Sequence, residues 1–370
     1  MYNKFKNFLL MFNEINNINK KKPKFIFYSE NKSYLKYGYS IIEYLSKKYP
    51  GQIYYVSSDI NDKILNLNLT NVYIGQSFLL HYFFRSIVAD NLFMTLTDLN
   101  NNVVKRNRFV KNYIYFFHSA VSTTRIYTST AFDNYDTILC NGDYQIKEIQ
   151  HREKIFNFKE KKLIKSGFIY FDYLKNKIDK AEDTNEILVA PSWNKNRLNF
   201  INEDFGEILT NLINSGYKVR FRPHPETIKR SEDLMNSYKE KFKSKNFIFD
   251  DDPENFKAMQ NAMCLITDNS GISIEYMMLF KKPVIFYNDF DKVHNESYEM
   301  YKNFQPIEDI IKDKFGYQFN KHQIIEIKKV VNDALNKFDK NEIDDFTKKN
   351  FYNFGSTMEY FDKNLLKICI

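Results

Sequence analysis

The stretch Cys264–Tyr287, CLITDNSGISIEYMMLFKKPVIFY, decides the fold. It opens on the short apolar run Cys264 to Ile266, crosses Asp268, Asn269, Ser270 and Gly271, and continues as an apolar segment long enough for two or three helical turns. After Lys281, Lys282 and Pro283 it returns to a second apolar run, Val284 to Tyr287. Short apolar runs joined by a helix-length segment predict a βαβ unit with parallel strands. Ser270 and Gly271 then stand at a helix start, where glycine permits close backbone approach and unpaired N–H groups suit a phosphate. Read locally, the same residues also make an ordinary helix cap with no ligand.

Working outward, the alternation repeats. EILVAPS (186–192), FGEILTNLINSG (205–216), YKVRFRP (217–223) and FIFDD (247–251) complete an α/β domain over residues 186–320. An earlier series begins after Pro23 with KFIFYS (24–29), YLKYGYSIIEYLSKKY (34–49) and IYYVSS (53–58). It runs on through NVYIG (71–75), LFMTLT (92–97), YIYFFH (113–118) and TILC (137–140), and predicts a first doubly wound domain over residues 23–180. Lys175–Asn185 reads as the connection. The tail, residues 321–370, is helical in period, with Ile324, Ile325, Ile327, Val330, Val331 and Leu335 on one stripe, and is expected to close the structure. Two such domains place a ligand between them, at the carboxyl ends of their strands.

Composition narrows the function classes. A chain of 370 residues, 43% hydrophobic, can build two cores. The net charge of +8 favours anionic partners such as nucleotides, phosphopolymers or an acidic membrane surface, without arguing for nucleic acid. Cys140, Cys264 and Cys369 are odd in number and widely spaced, and no pair of histidines has ligand spacing, so neither a disulfide nor a metal site is expected. The absence of a P-loop, GxGxxG or GxSxG removes support for ATPases, dinucleotide oxidoreductases and α/β-hydrolases. The chain is expected to be soluble and cytoplasmic. Residues 1–22 read either as a helix packed on its own domain or as an interfacial helix, with Phe5, Phe8, Leu9 and Phe12 at helical spacing between lysines.

Four loops follow predicted strands: FHSAVSTTR (117–125), APSWNKNR (190–197), RPHPE (222–226) and TDNSGISIE (267–275). Glu275 is the one acid on an apolar helix and could accept hydrogen bonds from ribose hydroxyls; alternatively it is a partly exposed first-turn acid favoured by the helix dipole. Alternation along KVRFRPH puts Arg220 and Arg222 on one face. Pro225 disfavours a helical backbone at His224 and is expected to hold the following turns extended. In DDDP (250–253), Asp252 before Pro253 reads as a helix N-cap rather than a metal ligand.

RPHPE, FIFDDDP and CLITDNSGISIEYMMLFKKPVIFY together resemble the C-terminal half of the CDP-glycerol glycerophosphotransferase family, over roughly Glu186 to Asp291; the N-terminal half is similar more loosely. The resemblance implies GT-B architecture, two Rossmann-like domains facing an interdomain cleft. It implies transfer of glycerol phosphate from CDP-glycerol to an acceptor hydroxyl, with release of CMP, in teichoic-acid and capsule-type polymer synthesis. It places the family's His-Pro pair on His224 and Pro225, and its pyrophosphate turn on Asp268, Ser270 and Gly271. The family's Trp-His-Gly falls on Phe117, His118 and Ser119, so only the histidine matches.

On this reading His118 is a general base on the acceptor hydroxyl, as an imidazole near pKa 6.5 suits, against a structural histidine bonded to a neighbouring carbonyl. His224 is catalytic or contacts phosphate. Arg220, Arg222, Lys195 and Arg197 neutralise the pyrophosphate, Ser192 joins the donor site, and Ser119 and Arg125 contact acceptor or phosphate. No cofactor is implied. The partners are a nucleotide-activated donor, a polyol-phosphate or saccharide acceptor that is lipid-linked in one version, and a peripheral membrane contact. A glycosyltransferase using a UDP- or CMP-sugar stays open, as does a nucleotide-binding subunit without turnover.

Overall fold

The computed structural model describes residues 2–101, 104–179, 184–193, 200–201, 204–288 and 293–370. The chain divides into two compact units: residues 1–118, 127–176 and 350–370 form the first, and residues 119–126 and 177–349 the second.

In the first unit, β1 (Phe25–Ser29), β2 (Ile53–Ser57), β3 (Thr70–Tyr73), β4 (Ala89–Met94), β5 (Val110–Phe116), β6 (Thr137–Leu139) and β7 (Lys162–Ile164) form one sheet. The order is β3-β2-β1-β4-β5-β6-β7, and the paired strands are parallel. Every residue of FIFYS and IYYVS is buried, as expected where helices cover both faces of a parallel sheet. The helix Lys32–Lys48 starts at Asn31, whose side chain accepts from the Ser33 amide at 3.0 Å, and buries Ile41, Ile42 and Leu45.

In the second unit, β8 (Glu186–Val189), β9 (Lys218–Phe221), β10 (Phe247–Phe249), β11 (Cys264–Thr267), β12 (Val284–Tyr287) and β13 (Tyr317–Phe319) form a parallel sheet of order β10-β9-β8-β11-β12-β13. Its core joins Ile187, Val189, Val219, Phe221 and Ile266 to Phe205, Ile208, Leu209 and Leu212 of the helix Phe205–Asn214. In each sheet the strand order reverses once, at β1/β4 and at β8/β11, which are the switch points where α/β sheets take ligands.

Several sequence expectations are corrected. β7 and β13 are strands that the sequence reading does not contain; they are three residues long, KLI and YQF, too short to show a period. β5 ends at Phe116, so His118 lies two residues beyond it. Pro225 does not prolong an extended chain: it is the first residue of the helix Pro225–Arg230, with His224 extended (φ −62°, ψ 141°) as the residue before a proline must be. No helix begins at Pro253. Asp252 accepts instead from the Glu254 amide at 2.9 Å, a local Asx turn, and the next helix starts at Phe256.

The tail is divided rather than a single closing layer. The helix Ile327–Lys337 contributes Ile327, Val330, Val331 and Ala334 to the second core, whereas Phe361, Leu365 and Ile368 enter the first. There the Asn112 amide donates to the Ile368 carbonyl at 2.9 Å, and Asn91 exchanges two 3.0 Å hydrogen bonds with the Ile370 backbone. Gly142 and Gly167 permit this return. A Cβ at either would lie 2.1 Å from a main-chain oxygen, of Asn350 and of Tyr352 respectively, and Gly167 also has φ +88°.

Residues 119–126 sit apart from their sequence neighbours because the second unit holds them through polar bonds. Glu308 accepts from the Ser122 amide and hydroxyl, both at 2.9 Å, Arg125 pairs with Asp309, and the Asn295 side chain donates to the Thr124 carbonyl at 2.7 Å.

The N-terminal helix Tyr2–Lys21 packs on the first unit. Ile15 and Ile18 are buried, Phe12 stacks on Tyr82 at 4.7 Å, and Asn19 bonds the Ser86 carbonyl and the Val88 amide. Among the described residues no helix is long and apolar enough to cross a membrane.

Candidate functional site

The second unit's switch point is tied together by one carboxylate. Asp268, the residue after β11, accepts hydrogen bonds from the backbone N–H and the hydroxyl of Ser192, each at 2.8 Å. Ser192 lies three residues past β8, and both residues are buried. The loops leaving the two central strands are thereby fixed to one another, a firm link because the acceptor is an ion in a dry setting.

Beyond this link the chain turns sharply. The Ser270 amide donates to the Asp268 carbonyl at 2.9 Å, and the Ser270 carbonyl accepts from the amide and hydroxyl of Ser273 at 3.1 and 2.7 Å. Ser270 is partly exposed and Gly271 precedes the nine-residue helix Ile272–Phe280. Gly271 has ordinary helical dihedrals (φ −59°, ψ −25°), so conformation does not require a glycine there. A Cβ at 271 would lie 2.4 Å from the Ser119 hydroxyl oxygen, which would have to turn aside. The turn therefore brings Ser119, Ser192, Ser270 and the helix start into one neighbourhood. Glu275, in the first turn of the helix, is buried rather than partly exposed.

The arginines differ from expectation. Arg220 on β9 and Arg222 directly after it do alternate with buried Val219 and Phe221. Their guanidinium groups are already paired, however. Arg220 bonds Glu186 and lies 3.6 Å from Asp250, Arg222 lies 3.0 Å from the same Asp250, and Lys218 lies 3.3 Å from Glu186. Three cations facing two carboxylates leave one net positive charge. Asp250 is thus an ion-pair partner, and among the described residues no cluster could hold a metal. Arg125 is likewise occupied, buried against Asp309 with its guanidinium 5.7 Å from the Tyr298 ring. Lys195 and Arg197 lie outside the described residues.

His224 is exposed at the end of β9, and its Nδ1 accepts from the Glu226 amide at 3.1 Å. A neutral imidazole accepting at Nδ1 carries its proton on Nε2 and presents a donor. His118, in the first unit, is the opposite case. Tyr34, Tyr37 and Tyr127 surround its ring edge-on at 5.5, 6.0 and 6.2 Å, and its enclosed Nδ1 has no hydrogen-bond partner. Burial lowers its pKa to about 4, so it stays neutral well below the usual imidazole range.

The sequence reading missed Glu186, Asp250 and the Tyr34–Tyr37–Tyr127 surround. Glu186 and Asp250 stand beside Arg220 only through the parallel register of β8, β9 and β10, which no local pattern encodes. Tyr34 and Tyr37 are one helical turn apart, a visible spacing, but nothing in it points to a histidine eighty residues on.

The chain matches the family CDP-Glycerol:Poly(glycerophosphate) glycerophosphotransferase over residues 11–349. The wall teichoic acid polymerase TagF is similar in structure over 99% of this chain and 97% of its own, at 15% identity and a TM-score of 0.61. A TagF variant soaked with CDPG is similar over 100% and 98%, at 15% identity and a TM-score of 0.59. The UDP-GlcNAc 2-epimerase of Methanocaldococcus jannaschii, in complex with UDP-GlcNAc and UDP, is similar over 93% and 99%, at 14% identity and a TM-score of 0.55. These likenesses show the fold, two parallel-sheet α/β domains of GT-B type. Among curated proteins none matches. With the family match running through both sheets and the Asp268–Gly271 turn, the chain belongs to the CDP-glycerol:poly(glycerophosphate) glycerophosphotransferase family and is a phosphotransferase enzyme of GT-B architecture.

Proposed function

We propose that this chain transfers glycerol phosphate from CDP-glycerol to a hydroxyl of a polyol-phosphate or saccharide acceptor in the making of a teichoic-acid-like polymer, with the donor pyrophosphate seated on the Asp268–Gly271 turn. The observation that carries the reading is the Asp268–Ser192 link at the β8/β11 switch point, beside a partly exposed Ser270 and a helix start. Backbone N–H groups and the Ser270 hydroxyl hold phosphate oxygens, and Glu275 accepts from ribose hydroxyls. His224 donates from Nε2 to a phosphate oxygen, and the residual positive charge beside Arg222 offsets the charge that grows on CMP as it leaves. His118 takes the acceptor's proton. The acceptor oxygen bonds to the glycerol-bearing phosphorus, the bridging P–O bond breaks, and its electron pair departs with CMP.

A donor panel tests this reading. CMP release in the presence of a glycerol-phosphate acceptor is expected from CDP-glycerol, with thermal stabilisation by that donor above CDP-ribitol, UDP-sugars and CMP-sugars. Stabilisation by a nucleotide sugar alone, with no CMP released from CDP-glycerol, would sink it.

A peripheral membrane contact is part of the proposal. Leu9, Leu10 and Phe78 are 43%, 54% and 61% exposed on the N-terminal helix and its neighbour, and Lys20 and Lys21 end that helix with Lys22 directly after it. Deleting the segment would strip Ile15 and Ile18 from the core, so paired charge substitutions are the better probe. Sedimentation with anionic vesicles is expected for the native chain and reduced in L9E/L10E; equal sedimentation of the two would remove the contact.

A further inference from the structure

The chain has one tryptophan, and it stands next to the Ser192–Asp268 link. Trp193 is half-buried, and two imidazoles from different loops converge on its indole. The His224 ring lies 6.5 Å away at an interplanar angle of 31°, and the His294 ring 5.9 Å away, edge-on at 73°. The Arg230 guanidinium, at the far end of the helix that begins after His224, is 5.6 Å from the same indole. His294 is anchored by its own backbone, whose N–H donates to the Arg125 carbonyl at 2.8 Å. The indole is therefore placed by β8, flanked by residues following β9 and β12, and left partly open to solvent. A solely structural tryptophan would be enclosed by apolar side chains; this one is edged by imidazoles and a cation, a polar π-rich setting suited to a flat, polar, aromatic ligand.

We propose that Trp193, with His294 and Arg230 at its margins, is the stacking platform for the nucleobase of the donor. The proposal rests on the donor reading above and extends it: the Asp268–Gly271 turn binds the phosphates, and the residue next to Ser192 binds the base. Because every nucleobase offers a π-face, stacking supplies affinity here, while selection among bases falls to the polar groups at the rim.

Trp193 being the single indole, its fluorescence reports the site directly. Saturable quenching by CMP is expected in the native chain. In Trp193→Ala the calorimetric Kd for CMP is expected to rise about 10- to 100-fold, the range of base–aromatic stacking, while Trp193→Phe stays within a few-fold of native. Inorganic pyrophosphate, which has no base, should bind all three proteins alike. Equal CMP affinity in Trp193→Ala and native protein overturns the platform and leaves the phosphate site standing. Failure of the native chain to bind either CMP or CDP-glycerol overturns both.

Discussion

Replacing His118 with glutamine is expected to lower the rate of transfer about a hundred- to ten-thousand-fold, with little change in donor affinity, because general-base catalysis contributes in that range and the proposed donor contacts lie on other residues. The split matters: a structural histidine would lower folding and binding together, whereas a base lowers kcat. The pH dependence gives a second readout. A base works in its neutral form, and burial lowers the pKa of His118 from 6.5 to about 4. In the free enzyme kcat/KM should therefore hold its value as pH falls through 6.5 and decline only toward pH 4. The same shift has a stability counterpart with a fixed sign. Its pKa is depressed on folding, so the unfolded chain binds the proton more readily. Stability due to the neutral ring is full above pH 6.5, is lost progressively between 6.5 and 4, and this pH dependence should vanish in His118→Gln. An acid limb centred near 6.5 in the native enzyme would contradict a neutral base with a lowered pKa.

Asp268→Ala is expected to have the largest effect among substitutions at the turn. It removes the acceptor of two 2.8 Å hydrogen bonds and leaves the buried Ser192 N–H and hydroxyl without it. Bonds to charged groups contribute about 1.5–3 kcal/mol each and a stranded buried donor adds to the loss, so about 3 kcal/mol is a conservative figure. For a unit of this size that lowers its unfolding temperature by about 6–12 °C. Because the carboxylate fixes the β8 loop to the β11 turn, donor binding should fall as well. Asp268→Asn keeps one acceptor oxygen for the Ser192 amide, and the Ser192 hydroxyl can rotate to accept from the new NH2, so its cost should be near 1 kcal/mol. Differential scanning calorimetry on the three proteins checks the order. Equal stability of Ala and Asn variants would show that the link does not hold the loops.

The fold was legible because hydrophobic period survives in long elements. CLITDNSGISIEYMMLFKKPVIFY reads as strand, turn, helix and strand without help, and the structure has β11, the turn, Ile272–Phe280 and β12 in those places. KLI and YQF escaped because three residues carry no period. The candidate site was legible in part. Asp268, Ser270 and His224 occupy strand ends, where local sequence marks them. The state of Arg220, Arg222 and Arg125 was not, since each is defined by carboxylates far away in sequence: Glu186, Asp250 and Asp309. The double crossing of the chain between units was hidden for a similar reason. Ser122 and Glu308 are 186 residues apart, and their two hydrogen bonds, with the Arg125–Asp309 pair and the Asn295–Thr124 bond, explain why residues 119–126 leave the unit of their neighbours.

The central claim is that the Asp268–Gly271 turn seats the donor's phosphates. A crystal structure of the His118→Gln protein with CDP-glycerol tests it most directly, since slowed transfer should preserve the donor. The account predicts pyrophosphate oxygens within hydrogen-bond distance of the Ser270 hydroxyl and the backbone amides at the start of the Ile272–Phe280 helix, with Asp268 still bonded to Ser192. A donor bound with its phosphates away from this turn, in a protein whose Asp268–Ser192 link is intact, would contradict it.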